Sequence, residues 1–244
     1  MGETKLTFKR YEKKYLLSAE SYRRLMARMT EYIEPDDYHR STVCSIYYDR
    51  DDFRLIRHSI DAPIYKEKLR VRCYNPTGED SEAFVELKKK YKGIVYKRRV
   101  VMTGRQAEAW LSGAAEPPEN SQMVREIQWF LHTNHPSPKV MIACDRTSWR
   151  AKENPELRIT FDEAIRWRET ALHFADGSGG ELLLPEGEVL MELKIPGAAP
   201  LWLAHLLSEQ ELFPTGFSKY GVCYKNHLLQ EYLQEYDKGE MICV

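Results

Sequence analysis

Cationic side chains recur at every second position through Lys66–Tyr74 (KEKLRVRCY), where Lys66, Lys68, Arg70 and Arg72 alternate with Leu69, Val71 and Cys73. A β-strand sends alternate side chains to opposite faces, so this spacing makes one face wholly basic. Two later stretches repeat the device. In Ala83–Lys90 (AFVELKKK) Phe84, Glu86, Lys88 and Lys90 share a face, and in Ile94–Met102 (IVYKRRVVM) Lys97 and Arg99 share one with Val95 and Val101. Guanidinium forks and ammonium point charges along several strands suit the oxygens of a run of phosphates, so the chemistry on offer is polyanion binding. A single charged strand face is ordinarily a solvated surface. Lys89, Lys90 and Arg98 fit that plainer role; three basic strands in series do not.

The elements that must position these residues follow from periodicity and turn chemistry. Thr7–Leu16 reads as a first strand with Phe8, Arg10, Glu12 and Lys14 on one face. Ser18 caps a helix with Tyr22, Leu25, Met26 and Met29 as its apolar stripe. Glu34–Asp37 (EPDD) reads as a turn, Thr42–Asp49 as a β-branched and aromatic strand, and the segment after it as a short helix. Asn75–Asp80 (NPTGED) and Tyr91–Gly93 are turn signals on either side of the fourth strand. Residues 103–138 change to helical spacing bounded by prolines, and at about 35 residues they are too few for a core of their own. Strands resume at Lys139–Arg150, Leu157–Asp162 and Glu188–Ile195, with Asp176–Gly180 (DGSGG) as a flexible loop between the last two. Pro200–Leu207 and Tyr220–Tyr236 close the chain as amphipathic helices.

About eight antiparallel strands suggest a sheet that closes, because closure removes edges. The expectation is therefore an α+β fold: one domain, 1–244, built on an eight-stranded antiparallel β-barrel surrounded by helices, with a helical insertion at about 103–138. If the helices cover the apolar faces, the lumen receives Arg10, Lys14, Lys68, Arg70, Arg72, Lys88, Lys97, Arg99, Arg158 and Lys194, together with Glu12, Glu86, Asp162 and Glu192. Such an excess of buried charge is untenable in a dry core. A water-filled lumen matched by a bound anion resolves it.

Composition narrows the class. The 244 residues are 43% hydrophobic and 30% charged with a formal net charge of -1, so anion binding must come from local segregation of charge and not from a field over the whole surface. The five cysteines are widely spaced with no C-x-x-C pair, which argues against a zinc cage or disulfide framework. The seven histidines show no metal-ligand spacing. No apolar run approaches the roughly 20 residues of a membrane span. The reading is a cytoplasmic protein, with room for a membrane-attached partner. Nucleic acid fits poorly, since alternation sends most cations toward a lumen too narrow for a duplex.

Eight blocks in order carry a resemblance: FKRYEKKYLLS at 8–18, SIYYD at 45–49, KLRVR at 68–72, VELKKKYKGIVYKRR at 85–99, DRTSWR at 145–150, LRITFD at 157–162, MELKIP at 191–196 and FSKYG at 217–221. The chain resembles the VTC (vacuolar transporter chaperone) polyphosphate polymerase domain, within the triphosphate tunnel metalloenzymes of the CYTH-like superfamily. The resemblance implies a tunnel that takes ATP and inorganic polyphosphate or phosphate and needs Mn2+ or Mg2+. It implies that Lys14, Arg70, Arg72, Lys88, Lys97, Arg146 and Arg158 clamp phosphate, that Lys219 stands near a tunnel mouth, and that Glu192 holds the metal. Arg10, Lys68, Arg99 and Lys194 join as substrate-binding residues on alternation. Without the family, Arg146 and Arg158 fit equally well as ion-pair partners of Asp145 or Asp162. One departure bears on the reaction: hydrolase and cyclase branches carry E-x-E-x-K in the first strand, whereas this chain has Arg10, Glu12 and Lys14. Loss of a carboxylate tilts the expectation from hydrolysis to ATP-dependent polyphosphate polymerisation. A tripolyphosphatase or nucleoside triphosphatase using Glu12, Glu86 and Glu192, or a non-catalytic polyphosphate-binding module, are the alternatives.

Overall fold

The computed structural model of the chain describes residues 10–92, 94–230 and 232–233. The described residues form nine strands and six α-helices: β1 Arg10–Leu17, α1 Ala19–Met29, β2 Ile33–Asp49, α2 Arg54–Ile60, β3 Tyr65–Tyr74, β4 Glu82–Tyr91, β5 Ile94–Thr103, α3 Gly104–Leu111, α4 Gln122–Asn134, β6 Ser137–Ala151, β7 Arg158–Arg168, β8 Glu181–Leu182, β9 Val189–Pro196, α5 Leu201–Glu209 and α6 Lys219–Cys223. The fold is α+β, on an antiparallel sheet whose hydrogen-bonded order is β1-β9-β7-β6-β2-β3-β4-β5, with β8 paired to β7. No helix among the described residues is long and apolar enough to cross a membrane.

Two compact units divide the chain. The first comprises Met1–Ser41, Cys144–Ile165 and Leu184–Phe217; the second comprises Thr42–Ala143, Arg166–Leu183 and Ser218–Val244. Each has its own core. In the first, Tyr15, Ile159, Phe161, Met191 and Leu193 on the strands bury against Leu25 and Met29 of α1 and Leu203 and Leu206 of α5. In the second, Leu69, Val71, Val85 and Leu87 bury against Ala107 and Trp110 of α3 and Ile127 and Phe130 of α4. These strand residues belong to the faces opposite the basic ones, so the alternation read from the sequence is the alternation the cores use.

Local signals explain most boundaries. The Ser18 hydroxyl accepts from the Ser21 amide at the start of α1, and Thr103 with Gln106 forms a reciprocal cap on α3. Glu34–Asp37 does not turn; it lies inside β2. The acidic run is held straight because Arg150 donates to Glu34 at 2.9 Å and to Asp37 at 3.4 Å, while Arg158 sits 3.8 Å from Asp36. Strand β7 likewise runs beyond Asp162 to Arg168. The DGSGG segment is not a loose loop either. Arg168 donates to the carbonyls of Ala171, Gly177 and Gly179 at 2.7–2.9 Å, and Arg166 donates to the Ser178 carbonyl and hydroxyl.

Candidate functional site

In the second unit the antiparallel registers of β2, β3, β4 and β5 stack the basic residues into cross-strand rows. Tyr47 stands opposite Arg70, Arg70 opposite Glu86, and Glu86 opposite Arg99. One step along, Lys68, Lys88 and Lys97 face one another across three strands, and beyond them Lys66 faces Lys90. On the other side of the Arg70 row, Ser45 faces Arg72 and Arg72 faces Phe84. Like charges directly opposite in a sheet repel. Burial, and then Lys90 and Lys88, push the Lys66 ammonium below the ordinary lysine range.

Glu86 organises the centre of this face. Its side chain is 1% exposed. One carboxylate oxygen accepts from Arg70 at 2.6 and 2.8 Å; the other accepts from Lys97 at 2.5 Å and Arg99 at 2.5 and 2.8 Å. Burial alone would raise its pKa, but Arg70, Arg72 and Lys97 hold it well below the carboxylate range. Glu86 is thus a fixed counterion: both its oxygens are bonded to cations, which weighs against a water-activating part for it in the triphosphatase alternative. The guanidiniums are aimed by further contacts. Arg72 donates to the Ser45 hydroxyl at 3.2 Å, and Arg99 lies over the Phe84 ring at 4.6 Å. Lys68 donates to the Ser218 hydroxyl at 3.1 Å, and Ser218 in turn accepts from the Gly221 amide at the start of α6, whose first residue is Lys219.

The first unit carries a smaller basic face. Across β1, β9 and β7, Lys14 faces Glu192 and Glu192 faces Thr160; one step along, Glu12 faces Lys194 and Lys194 faces Arg158. Arg10 pairs by its backbone with Pro196. The Lys14 ammonium lies 3.7 Å from Glu12 and 3.8 Å from Glu192, and donates to the Phe217 carbonyl at 3.2 Å. Lys194 lies 3.5 Å from Glu192, a carboxylate 13% exposed. Arg146 and Asp162 form a buried pair at 2.6 and 2.7 Å, which is the ion-pair alternative for that arginine. Arg158 is 53% exposed and leans toward Asp36, not Asp145 or Asp162.

Glu192 can be tested as a metal ligand on this donor set. Among the described residues no group of three or more His, Cys, Asp or Glu side chains converges to hold an ion. Two lysines flank the carboxylate, so an all-protein cage does not fit. Glu192, with Glu12, would offer a hard divalent cation one or two carboxylates only, so such an ion would need most of its oxygens from a bound ligand.

Sequence reasoning passed over Tyr47, although Ser45, Tyr47 and Asp49 alternate on one face of β2. The Tyr47 side chain is buried, stacks on Tyr220 with centroids 4.8 Å apart, and accepts from Arg70 at 3.4 Å. Tyr220 donates to Asp49 at 3.0 Å. Asp49 is fully buried and accepts the amides of Leu55 and Ile56 at the start of α2.

With this geometry in place, comparison with known proteins identifies the lineage. No curated protein sequence matches the chain. Among solved structures, a protein from Bacillus halodurans named provisionally as an adenylate cyclase is 14% identical with a TM-score of 0.53, over 85% of this chain and 92% of its own. The PH1819 protein of Pyrococcus horikoshii OT3 is 14% identical with a TM-score of 0.44, over 91% of this chain and 99% of its own. At such identity the Bacillus likeness speaks for the fold. The family model for the VTC domain matches residues 9–227, nearly the whole chain, and on that match the chain belongs to the VTC domain family.

Proposed function

We propose that this VTC domain is an ATP-dependent polyphosphate polymerase that transfers the γ-phosphoryl group of ATP to inorganic polyphosphate or a phosphate primer with Mn2+ or Mg2+. The observation that carries the reading is the row Lys68–Lys88–Lys97, with Lys66–Lys90 beside it, on a face whose central carboxylate, Glu86, is already surrounded by cations. A polyanion laid across these rows would offset the repulsion between them.

In the step itself a terminal oxygen of the acceptor forms a bond to the γ-phosphorus while the bond from that phosphorus to the bridging oxygen of ADP breaks, and ADP leaves. Arg70, Arg72, Lys88 and Lys97, with Lys68, Arg99 and Lys219, are assigned to hold phosphate oxygens and offset their charge. Lys14, Arg158, Lys194 and, by its sequence position, Arg10 are assigned the same role in the first unit, whereas Arg146, expected from the family to clamp phosphate, is bonded to Asp162 through two of its nitrogens. A bound divalent ion, held by Glu192, would supply neutralisation of triphosphate charge. No protein nucleophile is needed, because positioning and electrostatic complementarity supply most of the rate. Commitment of Glu86 to three cations, and arginine at position 10, favour transfer over attack by water.

Purified protein incubated with ATP and manganese is expected to release ADP together with long-chain polyphosphate. Release of ADP and orthophosphate alone would replace the polymerase by a triphosphatase; salt-sensitive polyphosphate binding without turnover under any metal would leave a binding module.

A further inference from the structure

Tyr47 stands in the row that contains Arg70, Glu86 and Arg99, on the basic face of the second unit. Its hydroxyl is within 3.4 Å of an Arg70 nitrogen, while Arg70 uses its other nitrogens on Glu86. Arg72 and Lys219 stand close enough to act on the phenol electrostatically. A buried phenol is ordinarily satisfied by donating to a carbonyl or carboxylate. Here the named polar neighbour is a guanidinium, which can only donate, so the phenol accepts and its own proton points elsewhere. The ring is held from behind by the Tyr220 stack, and Tyr220 is anchored through Asp49 to the start of α2. This is a rigidly mounted donor beside two arginines and a lysine assigned to phosphate.

We propose that Tyr47 is a further residue of the polyanion site, its hydroxyl donating to a phosphate oxygen held by Arg70 and Arg72, so that binding requires the phenol to be protonated. The inference rests on the polyphosphate reading and sharpens it to a single proton. Burial would raise the phenol pKa, but Arg70, Arg72 and Lys219 together lower it to about 8. The charged and titratable groups set against it are Arg70 and Arg72 from β3, Lys219 and Tyr220 from α6, and Glu86 from β4 behind Arg70. A bound phosphate chain offsets those cations and restores the phenol to its protonated form. Above about pH 8 binding therefore takes up a proton at Tyr47, and affinity falls as pH rises.

The test is titration with inorganic tripolyphosphate between pH 6.5 and 9.5, on the wild-type chain and on Tyr47→Phe, which keeps the ring and its stack. Wild type is expected to lose affinity above about pH 8 by up to about tenfold per pH unit, beyond any change that the ligand's own titration imposes on both proteins. Tyr47→Phe is expected to bind about fivefold to tenfold more weakly at pH 7 and to lack the extra alkaline decline. Tyrosinate absorbance near 295 nm, present in the free wild-type protein at pH 8.5, should fall on adding ligand and not in the variant. Equal affinity and an identical pH profile in the two proteins would overturn the role of Tyr47 alone. Failure of the wild type to bind tripolyphosphate at any pH would overturn the polyphosphate reading as well.

Discussion

Arg70 and Arg72 are two residues apart on one strand and are held in different ways, and their substitutions should separate accordingly. Arg70 is bonded to buried Glu86, so Arg70→Ala strips a counterion from a carboxylate that is 1% exposed. It is expected to lower stability by about 3–5 kcal/mol as well as to weaken phosphate binding. Arg72 touches the Ser45 hydroxyl and a ring face, so Arg72→Ala should leave the melting temperature within a few degrees of wild type. It should still lose about tenfold or more in tripolyphosphate affinity, read by calorimetry. Glu86 gives a pH signature in the same place. Its folded pKa lies below its ordinary 4.5, so it contributes stability above that value, and the contribution is lost as pH falls through the folded pKa. Glu86→Gln should therefore flatten the acid limb of a stability-against-pH curve while lowering stability at pH 7. Alternation made the basic residues legible in the sequence. It could not show that Glu86 is a counterion, because that depends on which residues the registers of β3, β4 and β5 set opposite it.

At the scale of elements, α2 and α6 depend on one carboxylate. Asp49 accepts from the amides of Leu55 and Ile56 and from the Tyr220 hydroxyl, and burial pushes its pKa up against those bonds. Counting the Arg50 amide as well, Asp49→Ala would leave four donors unmatched and is expected to cost about 3 kcal/mol or more in chemical denaturation. Tyr220→Phe, which keeps the stack and removes one donor, should cost about 1 kcal/mol. Most of the strands were readable from hydrophobic periodicity, and so was the cap at Ser18. What misled were residues whose partners are distant in sequence. Glu34, Asp36 and Asp37 look like a turn until Arg150 and Arg158 arrive from β6 and β7 to pair with them, and DGSGG looks loose until Arg166 and Arg168 bond its carbonyls.

Over the whole molecule, a net charge of -1 hides strong segregation, and the salt and metal responses should show it. Tripolyphosphate affinity is expected to fall steeply between low and physiological ionic strength. Chelation of divalent ions should abolish turnover of ATP and leave polyphosphate binding measurable, because the lysine rows of β3, β4 and β5 contain no metal ligand. Not every basic residue should respond to salt. Arg168 donates to neutral carbonyls, an arrangement that ions screen weakly. That clamp also governs how the folded chain meets a protease, which must draw its substrate into an extended strand and needs free backbone to do so. By composition the glycine-rich segment is the obvious place to cut. Because its carbonyls at 177–179 are occupied, limited proteolysis of the described residues by a nonspecific enzyme should enter first at the exposed stretch 114–120 between α3 and α4, and loosening the clamp by Arg168→Ala should open a second cleavage at 176–180.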